Sequence, residues 1–507
     1  MQSNWKSIES HKNFNFAGSI PTSIGNVTKV TQFFLKSNNL IGQIPSSLLN
    51  LKDLFFIDLS YNNFRGRIPE FLTNLTKLYR VDLSYNQLTQ IGEFQPSNSL
   101  QILTLNNNKL YGSIPKSISN LVNLTSLDIS SNDLSGIVEF DKPTKPSELQ
   151  FLDLSYNSRL LGIKSNFNDT FPALLSLMLV SCNITEFPNF LISSKNLEHL
   201  DLSNNQIYNQ VPEWMFEVGE NLVYLNLSHN FLSSIDQLPW KNLQNLDLRA
   251  NLLQGKLPAP PDSIDIFLIS NNSLIGGIPS MICNASSLRV LDISHNSLGG
   301  TVPQCLGNFS NQLVVMDLRM NNFHGTIPDT FVKGNWLTTL VFNGNQLEGQ
   351  LPKSLVNCTE LEVLDLGNNK IIDFFPNWLE ALPKLKVLVL KSNRFHGHIG
   401  NHESSGEFFT KLRILDLSHN EFTGPLPRNY FQNLNAMMTI EGEYLQYLGV
   451  SNYYQDSVVV TLKGSEIELQ RILNIFTTID LSSNKFEGKI PEVLGRLTIL
   501  RDRKSVV

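Results

Sequence analysis

One asparagine recurs along this 507-residue chain at nearly constant spacing, and that regularity constrains the fold more than any other feature. "LFFIDLSYNNFRGRIP", "LRVLDISHNSLGGTVP", "LVVMDLRMNNFHGTIP" and "LEVLDLGNNKIIDFFP" share the pattern L-x-x-L-x-L-x-x-N-x-L-x-G-x-I-P. The anchors are Asn38, Asn62, Asn86, Asn108, Asn132, Asn157, Asn205, Asn230, Asn251, Asn272, Asn296, Asn321, Asn345, Asn369, Asn393 and Asn420, with Cys182 in that place once. Successive gaps run from 21 to 27 residues, most often 24, and one more anchor, Asn484, follows an interruption. With the degenerate copy "FNFAGSIP" this makes about nineteen units. A unit this short cannot close a core alone, so neighbours must stack.

The pattern predicts an α/β-type leucine-rich-repeat solenoid: a right-handed curved superhelix with a parallel β-sheet on its concave face. In each L-x-L the leucines point inward and the alternating residues face the concave surface. The anchor amide both donates and accepts, so it can satisfy backbone groups that the turn out of the strand would leave unpaired. Cys182 is a small buried substitute with a weak donor. The Gly-x-Ile-Pro segment redirects the chain, glycine by relaxing the backbone and proline by fixing φ. This variety resembles the plant-type repeats of extracellular receptors.

Charged residues make up 17% and hydrophobic ones 41%, enough for a large core. A net charge of −6 without a basic stripe argues against a nucleic-acid partner. No apolar stretch is long enough to span a bilayer. "MQSNWKSIESHKNFNF" holds no apolar segment of a signal peptide.

Cys283 and Cys305 sit eleven and nine residues after their anchors in consecutive units, so stacking brings them close enough for a disulfide to be a candidate. Cys358 reads as a buried free thiol. No C-x-x-C pair or His/Cys cluster has metal spacing, so no metal or cofactor is expected. Ten sequons are candidate glycosylation sites: Asn26, Asn74, Asn123, Asn168, Asn183, Asn226, Asn271, Asn284, Asn308 and Asn357. Asn26, Asn74, Asn284, Asn308 and Asn357 share one offset, twelve residues past the anchor position, and hence one flank. Asn226 lies within the strand "YLNLS" on the concave side, where a glycan would block ligand access.

Catalysis leaves little trace. The histidines of "LSHN" and the aspartates of "LDLS" recur in register, and a ladder of equivalent carboxylates offers no acid–base pair in distinct environments. H-E-x-x-H, G-x-S-x-G and phosphate-cradling loops are absent from the sequence. The chain is therefore read as a binding protein and not an enzyme. Units that depart from the Asp-then-Ser consensus mark the recognition face. Arg249, Arg319, Val341, Asn343, Val389 and Lys391 form the candidate stripe for an acidic or polar extended peptide.

Asn420 and Asn484 are 64 residues apart, so about forty have been inserted into one unit. Within "RNYFQNLNAMMTIEGEYLQYLGVSNYYQDSVVVTLKGSEIELQRILN", "SVVVTLKG" reads as a strand and "SEIELQRILN" as a short helical or extended return. An insertion of this length is functional or disordered, and its composition favours order.

The break holding "YYQDSVVVTLKG", its return as "ILNIFTTIDLSSNKFEGKIPE", and the phrases "SCNITEFP" and "LEVLDLGNNKIIDFFPNWL" resemble the island region of plant leucine-rich-repeat receptor-like proteins. These are kinase-less cell-surface receptors of defence or development. The resemblance implies an island folded against the concave face or edge, with Tyr453, Tyr454 and Gln455 as contacts for ligand or co-receptor. It also implies a peptide or protein ligand, a receptor-kinase adaptor and co-receptor as partners, and a plasma-membrane location with repeats facing the exterior. Membrane attachment would come through a transmembrane helix outside this sequence.

The expected division is a stub at 1–12 without cap or signal peptide, repeats at 13–427 (about 18 units), the island at 428–475, a last repeat at 476–500 and a non-repeat tail at 501–507. Paired cap cysteines are missing and one unit follows the island, which leads to the expectation of a receptor truncated at both ends. Two other readings stay open: a secreted leucine-rich-repeat inhibitor of a microbial cell-wall-degrading enzyme, and a non-functional gene fragment. Such inhibitors are shorter and have no island, which favours the receptor.

Overall fold

The computed structural model describes residues 7–9, 15–97, 99–139, 147–164, 171–308, 312–400, 408–439, 445–449, 453–462, 464–500 and 502–504. It comprises two compact units, one ending at Ser233 and one beginning at Ser234. In each, three-residue strands pair in parallel, one per repeat and in register. Phe56–Asp58 lies between Gln32–Phe34 and Arg80–Asp82 in the first unit, and Val315–Asp317 between Val290–Asp292 and Thr339–Val341 in the second. The middle residue of each triplet from Gln32–Phe34 to Thr478–Asp480 is buried, Ile57 and Met316 completely.

The anchor asparagine does what its chemistry allows. The Nδ2 of buried Asn86 donates to the carbonyls of Leu59 (3.0 Å), Leu83 (3.1 Å) and Ser84 (3.1 Å), and its Oδ1 accepts from the Phe64 amide (3.0 Å). Two of these four bonds reach the preceding repeat, so the side chain stitches stacked units together. Cys182 keeps only part of this role, its thiol facing the Leu154 carbonyl at 3.2 Å. Burial pushes that thiol up to about 12, and the Cys358 thiol up to about 11. Replacing Asn86 with alanine removes four hydrogen bonds from a buried turn, among them the acceptor of the Phe64 amide, while the three carbonyls each keep one donor, in Asn62, Asn108 and the Tyr61 amide. We expect a loss of about 3 kcal/mol, read as a lower urea midpoint at unchanged slope; a loss below about 1 kcal/mol would show that water replaces the amide.

The residue before each anchor carries the turn in the left-handed region. Its φ is 54° at Tyr61, 51° at Tyr85, 58° at Tyr156 and 54° at His419. Few of these positions are glycine, and nothing in the sequence marks them, because the anchor's four hydrogen bonds outweigh the local strain. The glycine of Gly-x-Ile-Pro adopts positive φ as well, 86° at Gly66 and 79° at Gly325. Proline then caps a short 3-10 helix on the side away from the sheet, as Pro45 does for Ser46–Asn50.

Three boundaries differ from the sequence reading. Ser7–Glu9, in the expected stub, pairs in parallel with Gln32–Phe34. Asp502–Lys504, in the expected tail, pairs with Thr478–Asp480. Arg428–Asn433 and Asn435–Met437 are helical turns of the repeat itself, with Tyr430 packed between Phe375 and Phe409. The excursion from the repeat therefore begins after Met437 and not at 428. A disulfide joins Cys283 and Cys305, whose Cα atoms are 5.8 Å apart.

Candidate ligand-binding surface

The two units differ on the outward face of the sheet. In the first, every triplet from Gln32–Phe34 to Tyr224–Asn226 keeps at least one outward residue partly exposed. In the second, Ile266–Leu268, Val290–Asp292, Val315–Asp317, Thr339–Val341, Val363–Asp365, Val387–Val389, Ile414–Asp416 and Thr478–Asp480 are buried at all three residues. The cover is the insertion.

Within it, Val458–Leu462 pairs antiparallel with Ser465–Leu469, and Gly464, at φ 87°, helps close the hairpin. The return is thus a strand and not a helix. Other island segments cross beside it. The Leu448 amide donates to the Ile472 carbonyl (2.9 Å), and the Asp456 amide to the Leu448 carbonyl (3.3 Å). Gly449 sits at this crossing with φ 112°, and a Cβ there would come within 2.8 Å of Gln455 Cα and the Asp456 nitrogen. Only glycine permits so close an approach.

The island docks through apolar burial and a polar network. Leu448, Val458, Val460 and Ile472 pack onto Val341, Val363, Val387, Val389 and Ile414 of the sheet. Each fully buried aliphatic side chain contributes about 1.5–3 kcal/mol before the entropy of ordering is subtracted. Tyr454 packs among Ile266, Leu268, Val290 and Val315, with Tyr453 beside it.

The polar network centres on Arg319. Its Nε donates to Asp317 Oδ1 (2.9 Å) and its Nη2 to Asp317 Oδ2 (2.5 Å). Nη2 also donates to the Tyr454 hydroxyl (2.8 Å), Nη1 to Ser457 Oγ (2.6 Å), and the Tyr454 hydroxyl to Asp317 Oδ2 (2.8 Å). Burial opposes the Arg319 cation, but Asp317 and Tyr454 beside it outweigh that and hold its pKa well above the ordinary value. Burial, and then the neighbouring Asp317 charge, push the Tyr454 phenol well up.

Buried Asp456 accepts from Thr339 Oγ1 at 2.9 Å. Burial pushes its carboxyl up to about 7, against the opposing pull of that hydrogen bond and of Arg319. Asp416 is raised to about 6, and Asp292 and Asp365 are raised too, each chiefly by burial. Lys391, its side chain only 3% exposed, donates to Glu466 of the hairpin at 3.0 Å.

These contacts correct the sequence reading of the recognition stripe. Arg319, Val341, Val389 and Lys391 are covered by the island and hold it, and Tyr454, an island residue expected at a ligand or co-receptor, is buried against the sheet. Asn343 is buried as well, donating to Asp365 Oδ1 at 3.0 Å. Arg249 keeps a third of its side chain exposed, but its Nη1 donates to the Tyr453 carbonyl (3.3 Å). Tyr453 and Gln455 remain partly exposed at the island's edge.

A signal for the cover was present and unused. The first residue of each triplet is polar, aromatic or charged through much of the first unit (Gln32, Phe56, Arg80, Ser126, Phe151, His199). From Ile266 to Thr478 it is Ile, Val or Thr (Val290, Val315, Thr339, Val363, Val387, Ile414, Thr478). β-branched residues on a nominally wet face mark a surface that something covers.

Among the sequons, Asn26, Asn74, Asn123, Asn183, Asn271, Asn284 and Asn308 are exposed. Asn357 is half-buried, its Nδ2 donating to the Phe331 carbonyl (2.8 Å). Asn226 stands in the aspartate row, donating to Asp201 Oδ2 (3.0 Å) and accepting from the Ser228 amide (3.0 Å). A glycan there would break these bonds. Asn168 lies outside the described residues. Among the described residues no group of His, Cys, Asp or Glu is arranged to hold a metal ion, and no helix is long and apolar enough to cross a membrane.

Leucine rich repeat family models match residues 76–134 and 337–395, and shorter single-repeat models match 53–75, 196–217, 287–309, 411–434 and 476–497. Receptor-like protein 7 of Arabidopsis thaliana is 45% identical over 368 residues, covering 70% of this chain and 38% of its own length. The chain spans a little over a third of the length of such curated relatives. Among solved structures, PEPR1–AtPEP1 aligns with a TM-score of 0.61 at 26% identity, over 96% of this chain and 73% of that one. The Arabidopsis receptor kinase HAESA, in complex with the peptide hormone IDA and the co-receptor SERK1, aligns with a TM-score of 0.61 at 26% identity, over 85% and 76%.

Proposed function

Because this chain belongs to the leucine-rich-repeat family and, within it, to the receptor-like proteins of plants, we propose that it is the extracellular ligand-recognition region of such a receptor. It takes a peptide or protein ligand on its sheet face and signals, in defence or development, through a partner receptor kinase. One observation carries the reading: the chain fills the sheet face of its second unit with its own island and leaves that of its first unit open. HAESA, one of the solved relatives in fold, is crystallised with the peptide hormone IDA. The exposed sequons suit a glycoprotein of the plasma membrane with its repeats outside.

The test is binding by the secreted chain, immobilised and offered two panels: synthetic extracellular peptides, and purified microbial wall-degrading enzymes. Submicromolar binding of a peptide, with no enzyme inhibited, supports the receptor. Inhibition of a wall-degrading enzyme would assign the chain to the secreted inhibitors instead. Binding of neither would remove the functional reading.

A further inference from the structure

The open face of the first unit is not uniform. At its N-terminal end three adjacent repeats carry six aromatic rings, four in the strands or the turns that follow them and two, Phe55 and Tyr79, just ahead of their strands. Phe55 stacks on Tyr79 (centroids 5.0 Å, 5° between planes), Tyr61 stacks on Tyr85 (4.1 Å, 8°), and Phe34 meets Phe56 edge-on (4.6 Å). Phe55, Tyr61 and Tyr85 are 47%, 45% and 42% exposed, which is unusual for side chains that gain most by burial. Two cations lie over these rings: Lys36 Nζ is 5.3 Å from the Tyr61 centroid and the Arg80 guanidinium 5.0 Å from that of Phe56. Aromatic rings with arginine, held rigid by stacking, are the composition of interface hot spots.

The occupant is indicated by how this chain treats the corresponding surface of its second unit. There the covering element is extended polypeptide, and two arginines of the sheet face clamp its backbone: Arg249 Nη1 donates to the Tyr453 carbonyl (3.3 Å) and Arg319 Nη1 to the Ser457 carbonyl (3.4 Å). Both arginines are also closely paired, at 2.7 and 2.5 Å, with the aspartate two residues before them. Arg80 is less engaged. It meets Asp82 only at 3.8 Å, its side chain is 40% exposed, and its Nε–H is buried with no acceptor. It is a guanidinium with donors to spare, framed by rings.

We propose that the aromatic face of Phe34, Phe56, Tyr61 and Tyr85, with Phe55 and Tyr79 just ahead of their strands, docks an extended polypeptide segment of a partner protein, with Arg80 donating to a carbonyl or carboxylate of that segment. Apolar or aromatic side chains of the segment lie on the exposed rings, as Val458 and Val460 of the island lie on the second unit's valines. This rests on the receptor reading and names its ligand surface.

The test uses the secreted chain and a displayed library of random twelve-residue peptides. Selected peptides are measured against Arg80→Gln, against Tyr61→Ser with Tyr85→Ser, and against Tyr208→Ser, which removes an exposed stacked ring away from this face. Thermal melting confirms that each variant is folded. We expect the first two to weaken binding by about tenfold or more and Tyr208→Ser by less than about twofold. Peptides that bind all variants equally would overturn this inference and leave the receptor reading standing, since the ligand would sit elsewhere. If the library yields no binder, both fall. If a panel of wall oligosaccharides binds with the same dependence on Arg80 while peptides do not, the face belongs to sugars and the proposal is wrong.

Discussion

Arg319→Met is expected to release the island from the sheet. The substitution keeps most of the side-chain volume but leaves Asp317, 1% exposed, as a carboxylate without its cation, and removes donors to Tyr454 and Ser457. Breaking a buried pair by deleting one partner costs about 3–5 kcal/mol, because the other charge stays buried or must be exposed. Chymotrypsin cutting after Tyr453 or Tyr454 reads the open state directly. When opening is fast relative to cleavage, the rate follows the open population, so it should rise by about a hundredfold or more. Adding Asp317→Leu removes the stranded charge and should restore part of the protection. Equal cleavage of wild type and Arg319→Met would mean that the apolar contacts hold the island alone.

Docking is also expected to weaken as pH rises. Asp456 is buried between the island and the sheet, and its carboxyl, raised to about 7, holds its proton more tightly docked than free. A carboxyl whose pKa is raised on docking favours the docked state at low pH. That contribution declines as pH climbs from the free value near 4 and is lost by about 7. A shift of about three units corresponds to about 4 kcal/mol for this group alone. The groups facing it are Thr339, whose hydroxyl donates to it, and the charges of Arg319, Glu362 and Asp317. Asp416, raised to about 6, adds a smaller change of the same sign. Asp456→Asn keeps an acceptor for Thr339 without the charge. Chymotrypsin cleavage at pH 5 and pH 7.5, corrected for the enzyme's own pH profile, should rise steeply in wild type and much less in Asp456→Asn. The same rise in both would place the proton elsewhere.

The fold was legible because stacking turns a short motif into a repeated constraint: L-x-L sets the inward face and the anchor asparagine closes each turn. The left-handed residue before the anchor was not legible, since Tyr61, His229 and Met320 carry no mark of φ near 54°. The island's strand at Val458–Leu462 and its seat against the sheet were accessible from pattern and resemblance. What Arg319 and Lys391 bind was not. An outward cation on a strand looks the same whether it awaits a ligand or holds a residue 138 positions away, as Arg319 holds Ser457. Only the change from polar to β-branched residues at the first triplet position, beginning at Ile266, separates the two cases. Anchor spacing alone gives the length of the insertion but not where it leaves the repeat, so Arg428–Met437 reads as island; the short helix that follows Pro427 is the repeat's own.

The account turns on one unit's sheet face being filled by the chain itself. Hydrogen exchange of the free protein at pH 5 measures this without a ligand. The amides of Val458–Leu462 should exchange with the slow rates of the strand Val315–Asp317 beneath them, and should speed up in Arg319→Met while the strands of the first unit stay unchanged. If the hairpin amides of the wild type exchange as fast as exposed loops, the island is not docked. The stripe of Arg319, Val341, Val389 and Lys391 would then be open to ligand after all.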